Sequence, residues 1–142
     1  VVPFGAELST IVRTASPERT FWEKATILHQ EANRPDGKAM PRRYSRHYYD
    51  MYRLGHSSVL GRAIAQSDLL EQVVRFKEKF YRTPWAKLAD AKPGTLRLVP
   101  PKARLTELAS DYVSMRPMLF GGYPSIEEVV AYMSELEEII NG

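Results

Sequence analysis

The sequence predicts a mainly α, single helical domain that opens with a short strand fragment. Three observations predict this. Apolar residues recur at three- and four-residue spacing along several segments, the pattern of helices with one buried face. Helix-start signals punctuate the chain, most clearly Ser16-Pro17 and the Ser125/Glu128 pair. Strand-like runs are confined to "VVPFGAEL" at the start and "GTLRLVPP" in the middle.

Taken in order, "SPERTFWEKATILHQEAN" has Ser16 as cap and Pro17 at the first helical position, with Phe21, Ala25, Leu28 and Ala32 on one face. The turn-rich "NRPDGKAMP" stops this helix and delays the next. Arg43 to Leu54 reads as a second helix, ended by Gly55. Two short apolar helices follow in "SSVLGRAIAQ" and "SDLLEQVVRFKEKFY", the latter capped by Ser67. "GTLRLVPP" reads as one short strand within an irregular stretch. Leu105, Leu108, Ala109, Tyr112 and Met115 form a further helical stripe, closed by Arg116-Pro117. "LFGGYP" turns the chain into a last helix, whose apolar face is Ile126, Val129, Val130, Met133, Leu136 and Ile140.

Composition narrows the class of function. A chain of 142 residues with 44% hydrophobic and 26% charged residues can bury a core as one domain. No apolar run approaches the roughly 18 residues of a membrane-spanning helix, and no signal-peptide pattern opens the chain. The absence of cysteine removes disulfides and thiolate metal sites and fits a reducing, cytoplasmic setting. A start at Val1 and an orphan strand fragment are what a piece of a longer protein would show. Charge is unevenly spread. Seven bases between Arg34 and Arg62 face only Asp36 and Asp50, whereas the segment from Ser125 onward carries five glutamates and no base. A basic region attracts phosphate through its field, although a solvated face is the commoner meaning of such a run.

Two helices carry the candidate chemistry. On a wheel of about 100° per residue, Arg43, Arg46, His47, Arg53 and Leu54 fall within about 60° of Asp50. Tyr44, Tyr48 and Tyr52 occupy roughly the other side and serve packing. One carboxylate in a field of guanidiniums can be a metal ligand, a base or a partner for a distant lysine. On this helix alone, a wet intrahelical pair such as Arg46–Asp50 would explain it, worth about 0.3–0.5 kcal/mol. The first helix shifts that balance. Lys24 lies on its core-facing side beside Phe21, Ile27 and Leu28, with no acid at helical spacing. Such a lysine snorkels, pairs across the fold or meets a ligand. Asp50 on the following helix is its available partner.

"FWEKATILH" followed by "RYSRHYYDMYRL" resembles the later motifs of the nucleotidyltransferase AbiEii toxin family, found in type IV toxin–antitoxin and abortive-infection systems. Lys24 matches the lysine of an "EKxxAL"-like helix, and Asp50 the final aspartate of an "R(D/H)xxDL"-like helix, with Arg46-His47 in the "R(D/H)" place. The resemblance spans roughly Ser16 to Leu54. It implies that Lys24 holds NTP phosphate, GTP being one candidate, and that Asp50 serves the catalytic centre. Arg43, Arg46 and His47 would assist in substrate binding. It also implies an RNA acceptor, with tRNA the family-level expectation, a cognate antitoxin and Mg²⁺ as cofactor. The family's Gly-Ser turn and Asp-x-Asp pair, which hold the metal, are absent from this sequence. The chain is therefore expected to be the helical C-terminal part of a nucleotidyltransferase-fold protein, inactive alone.

Other readings weigh less. His29, His47 and His56 with Asp50 could suit zinc, but His29 projects about 140° from Lys24 on the wheel and no HExxH pattern is present. Ser45, Ser57 and Ser58 near histidines are weak nucleophile candidates. Trp22, Trp85 and Phe120 read as core or interface anchors. The remaining alternative is a non-catalytic helical module that binds an antitoxin protein or nucleic acid, in which Lys24 and Asp50 are merely structural.

Overall fold

The first helix is laid down by its own sequence and then buried by everything after it. Ser16 sits in extended backbone and its hydroxyl accepts the Arg19 N–H at 3.2 Å. Pro17, which lacks an N–H, costs nothing at that position. The resulting helix α1, Pro17–Ala32, buries Phe21, Trp22, Ala25 and Leu28 completely. The Trp22 indole donates to the Ala63 carbonyl at 3.0 Å, so its one polar atom is satisfied in the core. The computed structural model describes residues 16–115 and 123–142. The strand expected in "VVPFGAEL", the Arg116-Pro117 stop, Phe120 and most of "LFGGYP" lie outside the described residues.

Helices α2 (Ser45–Gly55), α3 (Val59–Ala65) and α4 (Asp68–Phe80) follow, and all three pack against α1. Helix α5 (Leu105–Met115) and helix α6 (Ile126–Asn141) pack against α2 from the other side. The mainly α expectation is met, and among the described residues there is no strand. The capping box at Ser125 and Glu128 forms as read, with both reciprocal bonds present.

Several expectations are corrected. "GTLRLVPP" is not a strand, because no neighbouring strand pairs with it and side chains take its backbone groups instead. Asn141 Oδ1 accepts from Gly94 N–H at 2.9 Å and Leu96 N–H at 3.2 Å, while its Nδ2 donates to the Leu96 carbonyl. Glu137 Oε1 accepts from Leu98 at 2.6 Å and Val99 at 3.2 Å, and His29 Nδ1 accepts from Arg97 at 3.0 Å. This allows Leu96 and Leu98 to be fully buried without leaving backbone donors unpaired. Ser67 stands before α4, but in helical backbone (φ −64°, ψ −15°) with no side-chain cap bond, because the chain enters directly from the preceding turn. Helix α2 does end at Gly55, as read. That glycine's lack of a side chain makes room for Tyr132, whose ring lies 2.7 Å from where a Cβ would stand.

Helix α2 begins two residues later than read, at Ser45, and has no local side-chain cap. A carboxylate distant in sequence replaces it. Asp111 on α5 accepts Arg43 N–H at 2.8 Å on one oxygen and Ser45 N–H at 2.9 Å on the other. Arg43 is held there in left-handed backbone, φ 67°. Its place on the helical wheel beside Asp50 is therefore not realised. The Asp111→Ala variant is expected to lose about 1–2 kcal/mol of stability. In urea unfolding, its midpoint should fall with an unchanged slope, and an unchanged midpoint would refute the capping role.

Candidate functional site

Lys24 projects from the buried side of α1 toward α2 and meets two acceptors there. Its Nζ lies 3.0 Å from Asp50 Oδ2 and 3.1 Å from His47 Nδ1. His47 and Asp50 are three residues apart on α2, so one helical face presents both to the same ammonium. Their side chains remain partly open, at 21% for Lys24 and 28% for Asp50, so a ligand can reach them. Arg46 stands one turn before Asp50 with its Nε 3.9 Å from the same carboxylate oxygen, itself half exposed. Arg53 turns aside and donates to the Tyr49 hydroxyl at 2.8 Å. Arg43 precedes the helix and is exposed.

His47 acts as an acceptor because it is neutral. Burial and the neighbouring Lys24 ammonium push its pKa down to about 4, and Asp50 offsets this only in part. The unprotonated Nδ1 then faces Lys24, which places the ring proton on Nε2. An ammonium has three N–H donors. Asp50 and His47 take two, which aims the third at whatever occupies the opening. The arrangement is a fixed, partly desolvated point charge with one donor unused among the described residues, suited to an anionic oxygen.

The other candidates are placed elsewhere. His29 is fully buried, with Nε2 2.8 Å from the Lys87 carbonyl and Nδ1 accepting from Arg97, so both ring nitrogens are already used. Burial lowers its pKa as well. Ser57 donates to the Leu54 carbonyl at 2.7 Å, Ser58 accepts from Arg62 at 3.2 Å, and the Ser45 hydroxyl is buried without a partner among the described residues. Tyr48 is buried, while Tyr52 packs on Tyr132 and His56. The basic region is partly neutralised. Arg34 forms a two-pronged pair with Glu31, and Arg62 meets Glu18 at 2.7 Å. Lys38, Arg42 and Arg43 have no ion pair among the described residues.

The sequence reading missed that His47 touches Lys24 directly. It also missed Lys77 on α4, whose charge bears on His47 and whose own pKa burial lowers to about 8. The i, i+7 spacing of Lys77 from buried Leu70 was the available signal. Mg²⁺ does not fit the described residues. No group of three acidic or histidine side chains converges among them, and Asp50 is already occupied by an ammonium. A groove of about 500 Å³ lined by Asp68, Glu71, Glu78 and Lys92 contains none of the Lys24, His47 and Asp50 cluster.

The neutral state of His47 has a consequence for stability. Its folded value lies below the ordinary 6.5, so the unfolded chain binds the proton first as pH falls. The stability from the neutral ring is thus full above about pH 6.5 and is lost on descending to about 4. Replacing it, as in His47→Asn, should flatten the fall in stability across that window relative to the wild type. His29 contributes in both proteins and cancels in the difference. Parallel profiles in urea unfolding would contradict the neutral assignment.

Comparison with known proteins places the whole chain rather than single residues. The model of the family described as "Nucleotidyl transferase AbiEii toxin, Type IV TA system" matches residues 2–135, well beyond the Ser16–Leu54 resemblance read from the motifs. Searches of curated proteins and of solved structures each return no match. With a family match over nearly its whole length, the chain belongs to the AbiEii nucleotidyl transferase toxin family of type IV toxin–antitoxin systems.

Proposed function

We propose that this chain supplies the helical part of an NTP-dependent nucleotidyltransferase toxin, in which Lys24 binds nucleotide phosphate. The observation that carries this reading is the Lys24 ammonium held 3.0 Å from Asp50 and 3.1 Å from neutral His47 in a partly open site. Asp50 fixes the position of the ammonium at the reaction centre, and His47 aims its remaining donor. Fixed charge of this kind is what phosphoryl and nucleotidyl transfer needs, since the reaction depends on positioning and charge neutralisation. Mg²⁺ supplies Lewis-acid chemistry in such transfers. Its ligands, the Asp-x-Asp pair that this sequence lacks, are proposed to come from outside this chain, which would then be inactive alone.

The acceptor is proposed to be RNA, with tRNA the first candidate. Exposed Arg42, Arg43 and Arg46, together with Lys38, offer phosphate contacts at the start of α2. A cognate antitoxin protein, in keeping with the family, and a cytoplasmic setting are proposed with it. A second reading, a non-catalytic binding module, draws on the fact that Asp50 already neutralises Lys24 without any ligand.

Titration of GTP and the other NTPs with Mg²⁺ separates the two. It should be run on the protein extended to include the metal-holding half, and on its Lys24→Ala variant. A charge-assisted hydrogen bond of about 1.5–3 kcal/mol corresponds to a loss of roughly ten- to a hundredfold in affinity. The chain alone should show no transfer. Equal NTP binding by both proteins would sink the phosphate role and favour the binding module.

A further inference from the structure

Lys77 continues a buried stripe. On α4, Leu70, Val73 and Val74 are buried, and Lys77 stands three and four residues beyond the valines, in the next turn of the same face. That face packs on α1, the helix that carries Lys24. The Lys77 side chain is accordingly half-buried, while Arg75, Lys79 and Arg82 around it are exposed. Arg19, Lys24, Arg34 and Arg104 are the other described cations that are not exposed, and each of them holds a carboxylate. Lys77 has no ion pair and no hydrogen bond from its ammonium among the described residues.

Its place on the α1-facing side of α4 sets which charges act on it. The acid acting on it is Glu23 of α1, which is already bonded to Arg19 at 3.3 Å, and its own charge acts on His47 of α2. The charged and titratable groups whose fields reach it are therefore Glu23 and His47, and His47 is bonded to Lys24 beside Asp50. A partly desolvated ammonium costs free energy unless an anion compensates it. Among the described residues no dedicated anion is provided, which leaves that place open to a ligand.

We propose that Lys77 is a second cation of the nucleotide site, contacting an anionic oxygen of the NTP polyphosphate from α4 while Lys24 contacts it from α1. This rests on the nucleotide-binding reading of Lys24 and extends it to a third helix. Two ammonium groups, one on α1 and one on the α4 face that packs against it, suit a polyphosphate, whose charge is spread over several oxygens, better than a single phosphate. Lys77 is then a discriminator by chain length, favouring NTP over NMP.

The test uses the extended protein with its metal-holding half and compares wild type, Lys77→Met, Lys77→Arg and Lys24→Ala. Lys77→Met keeps the stem and removes the charge, so it should fold at least as stably. Its affinity for NTP with Mg²⁺ should fall about tenfold, with NMP affinity little changed and Lys77→Arg largely restoring NTP binding. Wild-type NTP affinity should also weaken as pH rises through and above about 8, and Lys77→Arg should not. If Lys24→Ala weakens NTP binding and Lys77→Met does not, Lys77 is a snorkelling lysine and this inference falls while the nucleotide reading stands. If neither variant matters, the nucleotide reading falls with it. A loss of RNA binding alone in Lys77→Met would likewise overturn the assignment to NTP.

Discussion

A charged ammonium on the core-facing side of a helix is the constraint from which the rest of this structure can be understood. Lys24 lies among fully buried Phe21, Ala25 and Leu28 on α1, and its own helix offers it no acid. Leaving that charge uncompensated would cost several kcal/mol, so the fold must bring counter-charge from elsewhere. Asp50 and His47 do so from α2. A pair this exposed contributes little net stability by itself. A lysine, a carboxylate and a neutral imidazole gathered in a partly open place are what make the cluster a candidate site.

The geometry of that cluster depends on contacts well away from it. The loop between α1 and α2 is gripped by Arg104, whose guanidinium donates to the Pro35 carbonyl at 2.6 Å and to that of Lys38. The same guanidinium bonds to Glu107 at 3.0 Å, and Glu107 in turn accepts Met40 N–H at 3.2 Å. Asp111, one turn further along α5, holds the start of α2. One face of α5 thus fixes both the loop that connects the two site helices and the entry to the second of them. The register of His47 and Asp50 opposite Lys24 follows from where α2 begins.

This division explains what was legible in the sequence. The helix bearing Lys24 is locally encoded, through Ser16, Pro17 and its apolar spacing, so its core-facing lysine could be found on a wheel. Asp50 stood out as the lone acid in a basic helix, and a lysine without a local acid made it a partner across the fold. The start of α2 was not legible, because its cap is a carboxylate 66 residues away from Ser45. Arg43 was misplaced for the same reason. The segment around Leu96 looked like a strand because its alternate leucines are buried, but the partners of its backbone are the side chains of His29, Glu137 and Asn141. No local pattern distinguishes a carboxylate that bonds to backbone from one in water. His47 was named as a helper, and its bond to Lys24 needed the rotation of α2 about its axis to be known.

The central claim is that Lys24, aimed by Asp50 and His47, binds nucleotide phosphate. A crystal structure of the extended protein with a non-hydrolysable NTP and Mg²⁺ tests it most directly. A phosphate oxygen is expected about 3 Å from Lys24 Nζ, with Asp50 and His47 still bonded to that ammonium. A nucleotide bound elsewhere, with Lys24 still directed only at its two protein partners, would contradict it.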